Sequence, residues 1–309
     1  MHSIARIEEL IEASEETLSL YLHDLETSPN SLFAKGMVKN TEERLEELRY
    51  QLKIEKTLRE KEVIELRLKG KNAKQGRLNL GVFTSVVDRY RKALTEVACQ
   101  RRYGSFTEGR LNKVNNEIKL KIAGLLPGSA RVIFTGETAP DLFGNSTLEE
   151  ALKTSFELFQ VQEGSTLLET AQKTGKRGLK NFSELFDAAI DEDLEVDFHW
   201  RSPNGENYFW EGTTANMSKL RSSISTIEED EPTEEAFSGI LFKASLSGEM
   251  TITRPSGKKM EIKVPEDRLE LLKVSHLGQL VSGHVSVTKT KSTLNLGEKV
   301  RYELKSIIQ

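Results

Sequence analysis

The segment "LKGKNAKQGRL", residues 68–78, has the composition of an anion-binding loop. It contains four basic residues, two glycines and no acidic residue. A phosphate-binding loop of the nucleotide-hydrolysing kind has four residues between its glycines, followed by Lys and then Ser or Thr. Here five residues separate Gly70 from Gly76, and Arg77 and Leu78 follow. The spacing excludes that class of loop and leaves two interpretations, side-chain contact with a polyanion or a solvated turn.

The basic character of this loop continues along the chain. Residues 67–121 contain fourteen basic and four acidic residues, a net charge of +10, against −14 for the remainder. Clustered cations can neutralise phosphates and release counterions, and the nearby Tyr90, Tyr103 and Phe106 can stack on bases. In the competing interpretation, the charges pair with the acidic coiled-coil helices predicted over residues 1–62 or cover a solvated face. We predict a nucleic-acid-binding surface whose phosphate contacts are Lys69, Lys71, Lys74, Arg77, Arg101 and Arg102.

Two short motifs have a form that metal-dependent nucleases use. "MEIK" places Glu261 two residues before Lys263, and "EVD" pairs Glu195 with Asp197, so that a metal could be held and a water activated. Such triplets also arise by chance on any strand with an alternating polar face, and these two lie in different parts of the chain. The five histidines and one cysteine have no zinc-ligand spacing. We therefore predict no catalytic residue, metal or cofactor.

The remaining reactive side chains are expected to be structural. Cys99 lies beside the apolar stripe of a predicted helix and should be packed. His199, next to Trp200, should be a core or surface residue, and Ser129 lacks the Gly-x-Ser-x-Gly setting of a nucleophile. A single cysteine is typical of a reducing compartment. With no signal segment and no apolar run of about 18 residues, we expect a cytoplasmic protein that does not enter a membrane.

Residues 1–62 predict an α-helical coiled-coil hairpin. Apolar residues recur in alternating steps of three and four over residues 4–25 and 41–55. The intervening stretch, residues 27–36, contains proline, asparagine and glycine, and Asn40 is placed to cap the second helix. A hairpin this thin buries little surface. We expect it to pack against the rest of the protein, to self-associate or to bind a partner protein.

Residues 63–226 predict an α+β domain that carries the basic segment. "VIELRLKG" alternates as a strand, an apolar stripe follows over residues 83–98, and a second helix is expected over residues 109–126. Ser146 precedes a helix with capping-box spacing. "LEVDFHW" and "YFWEG", separated by "RSPNGEN", predict a β-hairpin.

Residues 227–236 are rich in acids and predict a linker. Beyond it, residues 237–309 contain three strands, a helix and two strands, the element order of a small OB-like β-barrel. An SH3-like barrel shares most of that order. The predicted fold class is therefore α+β and multidomain: a helical coiled-coil hairpin, an α+β middle domain and a C-terminal small β-barrel.

The function expected from these features is binding rather than catalysis. We expect a cytoplasmic, oligomeric, non-enzymatic protein that contacts nucleic acid through its basic surface and self-associates or binds a partner protein through residues 1–62. One alternative is a protein-interaction adaptor of a multi-protein system such as phage defence or restriction. The other is a divergent metal-dependent nuclease. Fold analogy does not choose among them.

Overall fold

The structure is a mixed α+β arrangement with two β-sheets. It is a computed structural model that describes residues 4–29, 31–57, 61–71, 73, 78–126, 130–136, 146–161, 165–203, 205–245, 247–273, 276–294 and 297–308. The chain divides into two units, residues 1–63 with 201–206 and residues 64–200 with 207–309. Within the described ranges, no helix has the length and apolar character needed to cross a bilayer.

The first unit contains two helices, α1 (Ile4–Thr27) and α2 (Leu32–Thr57), which contact each other. An ion pair joins Glu15 on α1 to Arg49 on α2 at 2.6 Å. The seam side chains that the structure describes are all buried or half-buried, whereas the intervening charged residues are mostly exposed. Both predicted helices and their seams are thus confirmed, and the coiled-coil geometry stays a prediction.

The predicted start of the second helix at Asn40 is wrong. The helix α2 begins at Leu32, and the hydroxyl oxygen of Ser31 accepts a hydrogen bond from the amide of Ala34 at 3.1 Å. This bond satisfies one of the amides that lack a partner at a helix start. Gly36, expected to interrupt the helix, lies inside it, since the cost of about 1 kcal/mol for an internal glycine is small beside packing against α1.

The first sheet has five strands in the order β2-β3-β1-β4-β5. Its strands are β1 (Glu62–Gly70), β2 (Lys121–Leu126), β3 (Ala130–Gly136), β4 (Leu194–Arg201) and β5 (Asn207–Trp210). The helices of the same region are α3 (Leu80–Tyr103), α4 (Glu108–Ile118), α5 (Thr147–Gln160), α6 (Ser165–Thr174), α7 (Lys176–Ile190) and α8 (Thr214–Ser225). Side chains from both sets form one continuous hydrophobic core.

Aromatic residues dominate the centre of that core. Trp200 and Tyr208, on the paired strands β4 and β5, stack with their ring centroids 4.9 Å apart. Phe159 of α5 stacks on Trp210 at 4.8 Å and packs edge-on against Phe182 of α7 at 5.1 Å. Aromatic pairs of this kind contribute about 1 kcal/mol each beyond the area they bury. The predicted hairpin is confirmed, and most of its aromatic side chains lie in the core.

The helix expected over residues 109–126 is only partly correct. The helix α4 starts at the Thr107 cap and ends at Ile118, where Lys119 has the left-handed conformation (φ 41°). Beyond it, residues 121–126 form β2, which pairs antiparallel with β3. The lysines and apolar residues of "IKLKI" alternate with the period of a strand, so the period changes where the helix ends. By contrast, the Ser146 cap of α5 is confirmed, since its hydroxyl accepts from the amide of Glu149.

The second sheet contains the C-terminal strands. These are β6 (Ile227–Glu229), β7 (Thr233–Ser245), β8 (Glu249–Thr253), β9 (Lys259–Lys263), β10 (Leu280–Ser292) and β11 (Glu298–Ile308). Their order is β11-β9-β8-β7-β10-β6, and β11 pairs additionally with β10. The pairing of β9 with β11 is parallel, and the others are antiparallel. Met250, Ile252 and Ile262 are among the buried side chains of its separate core.

One local expectation for this region needs correction. The acidic stretch expected to be a linker lies largely in β6 and β7, and β10 pairs with both strands. The helix expected after β9 is present as a 3-10 helix, Glu266–Leu272. Its first turn follows Pro265 and contains two acids, which stabilise a helix N-terminus. The division into separate domains at residues 226 and 237 stays a prediction.

A buried carboxylate connects the α3–α4 turn to β11. Glu303 accepts a hydrogen bond from the hydroxyl of Ser105 at 2.9 Å, and its carboxylate lies 3.9 Å from Arg110 and 3.8 Å from Arg268. Gly104 has a φ of +73°, and a Cβ there would lie 2.9 Å from Glu303 Oε2. Glycine is therefore required by both the turn conformation and the close approach.

Removing this carboxylate should destabilise the protein strongly. In Glu303→Ala the buried guanidinium of Arg110 loses a nearby negative charge, so we expect the free energy of unfolding to fall by about 3 kcal/mol, measured by urea denaturation. Glu298→Ala, on the same strand, removes an exposed partner of Lys289 at 4.0 Å and should cost less than about 1 kcal/mol. Equal losses in both variants would contradict the structural role of Glu303.

Candidate anion-binding site

Lys69, the first predicted phosphate contact, lies among three carboxylates. Its Nζ is 3.0 Å from Asp197 Oδ2, 3.3 Å from Glu211 Oε1 and 3.4 Å from Glu195 Oε2. Burial alone lowers the pKa of Lys69, but the hydrogen bonds and charges of these carboxylates outweigh burial and hold the pKa above its ordinary value. An incoming phosphate would have to compete with all three.

The carboxylates of the "EVD" motif belong to this cluster around Lys69. Glu195 and Asp197 do lie together, and Glu211, which the sequence analysis missed, joins them from the segment after β5. The ammonium of Lys69 lies between the carboxylates. Among the residues that the structure describes, no group of three or more His, Cys, Asp or Glu side chains is arranged to hold a metal ion.

The loop that follows Lys69 is only partly described. Gly70 has a φ of +146°, and a Cβ at this position would lie 2.4 Å from the carbonyl oxygen of Asp193, so the chain requires glycine there. Lys71 follows with an exposed side chain. Lys74 and Arg77, two further predicted contacts, lie outside the described residues.

Arg102 is engaged by acids from two elements. Its guanidinium pairs with Glu117 of α4 and with Glu266 of the 3-10 helix, where Nη2 donates to Oε1 at 2.6 Å. The neighbouring Arg101 has a weaker partner, since its Nε lies 3.8 Å from Glu150 Oε2, beyond hydrogen-bond distance. Consecutive residues of α3 thus differ, with Arg102 held by two carboxylates and Arg101 by one at a distance.

Several other cations of the basic segment also form intramolecular ion pairs. The pairs are Arg89 with Glu184, Arg91 and Lys92 with Asp88, Arg110 with Asp267, and Lys113 with Glu266. These ion pairs are intramolecular, but their acids lie on α3, α7 and the 3-10 helix and not on the helices of residues 1–62, with which the competing interpretation paired them. The net charge of residues 67–121 therefore overstates how much positive charge remains for a ligand.

Arg101 lines a cavity of about 480 Å³ between the helices α3 and α6 and the strands β7, β8, β9 and β11. Its charged lining comprises five cations and two carboxylates, namely Arg101, Lys173, Lys243, Lys263 and Arg301, with Glu249 and Glu261. Lys243 and Glu249 pair with each other at 2.7 Å. Of these residues, Arg101 was predicted from the sequence as a phosphate contact, and Glu261 and Lys263 belong to the "MEIK" motif.

Two cations of this cavity, Lys263 and Arg301, are largely buried and have no carboxylate within ion-pair distance among the described residues. The charges of Glu150 and Glu249 act on Lys263 from further away, and those of Glu229 and Glu303 act on Arg301. Lys263 Nζ donates to the carbonyl of Ser247 at 3.3 Å, and Arg301 Nη1 donates to the carbonyl of Gln172 at 3.1 Å. Among the described residues neither forms an ion pair. Burial, followed by the charge of Arg101, lowers the pKa of Lys263, and burial also lowers the pKa of Arg301. Buried charges are normally paired, so this arrangement favours an anionic ligand.

Shielded nitrogen atoms in the same cavity wall lack acceptors. Arg101 Nε, Arg301 Nε and Gln172 Nε2 are buried and make no hydrogen bond within the described parts of the chain. A buried donor without a partner costs about 1–3 kcal/mol, and such groups are uncommon in native proteins. Because these atoms are shielded from solvent, an anion in the cavity would reach them only after neighbouring side chains move. The charge of the lining, five cations against two carboxylates, is what makes the cavity a candidate anion-binding site.

Of the other residues with possible chemistry, Cys99 and His199 contact neighbouring groups of the fold, and Ser129 lies outside the described residues. Cys99 is buried in the core, where burial raises the pKa of its thiol to about 11. At neutral pH it is protonated and hence a poor nucleophile, as expected from its position on α3. His199 Nε2 lies 2.6 Å from Asn207 Oδ1 across the β4–β5 hairpin. Phe209, on the same hairpin, has a side chain 57% exposed.

No protein-family model, curated protein or solved structure is significantly similar to this chain.

Replacing Lys69 should affect stability before it affects binding. Lys69→Ala leaves the buried carboxylate of Asp197 without its ammonium partner, so we expect a loss of about 3 kcal/mol in the free energy of unfolding, measured by urea denaturation. Lys71→Ala, two residues away and exposed, should change that quantity by no more than about 0.5 kcal/mol. If Lys69→Ala leaves the free energy of unfolding unchanged, the three carboxylates do not need this lysine for the stability of the fold.

The lowered pKa of Lys263 predicts a pH-dependent stability. A charged lysine that is destabilised by burial penalises the fold below its folded-state pKa, and the penalty disappears as the pH rises towards about 10.4, its value in the unfolded chain. Arg101, Glu150 and Glu249 contribute charges at this position. Lys263→Met should therefore raise the free energy of unfolding at pH 7, with a smaller gain at pH 10, in parallel urea titrations. Lys259→Met, which removes an exposed lysine of the same strand, is the control. If Lys263→Met raised the free energy of unfolding equally at both pH values, the lowered pKa of Lys263 would be contradicted.

Proposed function

We propose that the protein is a non-enzymatic nucleic-acid-binding protein whose phosphate contacts centre on the cavity lined by Arg101, Lys263 and Arg301. The observation that supports this proposal most directly is the pair of buried cations, Lys263 and Arg301, that have hydrogen-bonded carbonyls but no carboxylate partner. A phosphodiester oxygen would place a negative charge within ion-pair distance of these two cations. Arg101 remains a predicted contact, whereas the carboxylates around Lys69 and Arg102 make those residues weaker candidates.

The strand arrangement around the cavity favours a chain-like anion. The order β7-β8-β9, a 3-10 helix, β10 and β11, with β9 parallel to β11, is that of an OB-type barrel. We propose that these elements form such a barrel, with β8 and β9 as the two strands whose outer face contacts ligand in that class. This part of the proposal is fold analogy and adds to the charge argument without replacing it.

The cavity proposal predicts that Arg101 matters more than Lys71. Removing one phosphate contact weakens binding to all sequences and reduces the slope of log affinity against log salt by about 1. We expect this result for Arg101→Gln in fluorescence anisotropy with labelled oligonucleotides between about 50 and 200 mM salt. Lys71→Gln removes the same charge from an exposed site of the basic segment and should leave the affinity within about twofold, because a surface change is worth at most about 0.5 kcal/mol.

The two variants also separate the proposed contacts. A larger loss in Lys71→Gln than in Arg101→Gln would place the contact in the loop that begins at Gly70. If wild-type protein binds neither DNA nor RNA at low salt, the proposed function is wrong. Circular dichroism and thermal melting of both variants establish that any loss of affinity occurs in folded protein.

A second candidate function, a protein-interaction adaptor, is favoured by one observation on the first unit. Leu20 on α1 and Leu32 and Phe33 on α2 are 66%, 85% and 75% exposed. Exposed apolar side chains close to the connection between two helices suit self-association or a partner protein. We keep residues 1–62 as the proposed segment for either role. A stable protein partner on purification, together with indifference to nucleic acid, would favour this candidate.

A further inference from the structure

We infer that the nucleic acid bound by this protein is single-stranded, with one unpaired base stacked on Phe242 while an adjacent phosphate enters the cavity. This inference rests on the proposed function and specifies its ligand. The observations behind it are the exposure of Phe242, its position relative to the cavity, and the burial of Lys263 and Arg301 in the cavity wall.

Phe242 is the extra residue of a β-bulge. The pairing of β7 with β8 shifts register between Leu241, opposite Ile252, and Lys243, opposite Thr251. Leu241 is buried in the sheet core, whereas the side chain of Phe242 is 58% exposed. Bulges commonly redirect a side chain at a functional position. Here the bulge presents an aromatic ring to solvent.

A cation lies against the exposed ring. Lys259 Nζ is 4.1 Å from the centroid of Phe242, a distance at which an ammonium is attracted to the ring. An aromatic side chain beside a cation is a recurring contact for unpaired nucleotides, because the ring stacks on a base while the cation attracts the phosphate. Phe242 and Lys259 together therefore form a candidate stacking site.

The strand register places this stacking site next to the cavity. Lys243, Thr251 and Glu261, which line the cavity, form one row across β7, β8 and β9. Thr253 and Lys259 belong to the row two residues further along. Two residues of a strand span about 7 Å, and side chains two apart lie on one face. The stacking site and the cation site are thus neighbouring positions on the outer face of one sheet.

The apolar character of that face extends beyond the ring. Ile240, paired with Thr253 on β8, is 51% exposed, and Leu280 on β10, paired with Ile240, is 66% exposed. Such a surface suits a nucleic acid, because the apolar side chains can contact bases and sugars while the adjoining cations contact phosphates. Because five cations and two carboxylates line the cavity, we infer that the ligand on this face is an anionic chain.

Two features exclude a regular duplex as the preferred ligand. The bases of a duplex are stacked on each other and cannot also stack on Phe242. The cations of the cavity lie between helices and strands, and Lys263 and Arg301 are largely buried there. A phosphate on a stiff duplex cannot follow that recess, whereas a flexible single strand can bend into it.

The test compares single-stranded and duplex DNA of equal length by fluorescence anisotropy at low salt, with an RNA strand of matching sequence. We expect Phe242→Ala to weaken single-strand binding about 5- to 100-fold, as for the loss of one stacked base, with little change for the duplex. Phe209→Ala is the matched control, because Phe209 is equally exposed but lies on the first sheet. It should leave both affinities unchanged.

A tryptophan variant gives a readout that does not depend on affinity. In Phe242→Trp, stacking should preserve binding and quench the fluorescence of the new indole when oligothymidylate is added. Trp200 and Trp210 are buried, so their emission should respond little. Wild-type protein, which lacks the new indole, supplies the background for this titration.

The outcomes separate the inference from the proposed function. If Arg101→Gln weakens binding while duplex binds as tightly as single strand, or Phe242→Ala behaves like Phe209→Ala, nucleic-acid binding stands and the single-strand inference fails. If no oligonucleotide binds, the proposed function fails as well. Binding of polyglutamate in place of oligonucleotides would assign the face to acidic peptides and overturn both.

Discussion

The buried carboxylate of Glu303 is the contact on which the arrangement of the second unit depends. It receives the Ser105 hydroxyl and lies beside Arg110 and Arg268, so it joins the α3–α4 turn and the 3-10 helix to β11. A carboxylate in such a position is stable only with its cations present, and the cations are equally dependent on it. Arg102 and Arg110 extend the same connection through Glu266 and Asp267. The resulting interface holds the C-terminal end of α3 beside β11, while α6 contacts β10 and β11 separately, and the cavity lies between these elements.

Because these arginines form ion pairs between elements of the fold, the clustered positive charge of residues 67–121 is not in itself a sign of ligand binding. A positive charge that is fixed by a carboxylate within the fold attracts little additional anion, because the two charges already cancel. Within the part of the chain that the structure describes, many cations of residues 67–121 are of this kind. Lys263 and Arg301 lie outside residues 67–121, and among the described residues both are hydrogen-bonded to carbonyls without forming an ion pair. Cations that lack a close ion-pair partner, rather than total charge, indicate where an anion would bind.

The same interface brings together two features that are weak separately. An exposed phenylalanine on a bulged strand is common enough on protein surfaces, and a recess with several cations is a general anion site. Phe242 and the cavity are adjacent because β7, β8 and β9 pair in one register, which places their outward residues in successive rows. The helices α3 and α6 then close one side of that recess, so that its cations are enclosed while the aromatic ring stays exposed.

Short-range sequence patterns were sufficient to predict the local structure of most segments. The seam of residues 4–25, the alternating strand that ends at Gly70, the Ser146 cap and the hairpin that contains Trp200 all follow from short-range periodicity and capping, which act within a few residues. Where two local signals conflicted, prediction failed. The Ser31 cap was missed in favour of Asn40, and the helix predicted through residue 126 ends at Lys119 because pairing with β3 stabilises a strand.

Which charges remain unpaired depends on how the helices and strands pack together, and no sequence pattern predicted it. The sequence identified Lys69 and Arg102 as readily as Arg101, yet the first two face carboxylates that lie more than a hundred residues away in the chain. Arg301 and Gln172 were not recognised, since no spacing in the sequence indicates that α6 and β11 meet. Charge pairing depends on distances of a few ångströms between residues remote in sequence. For that reason composition shows only that cations are clustered along the chain, whereas the fold determines which of them are paired.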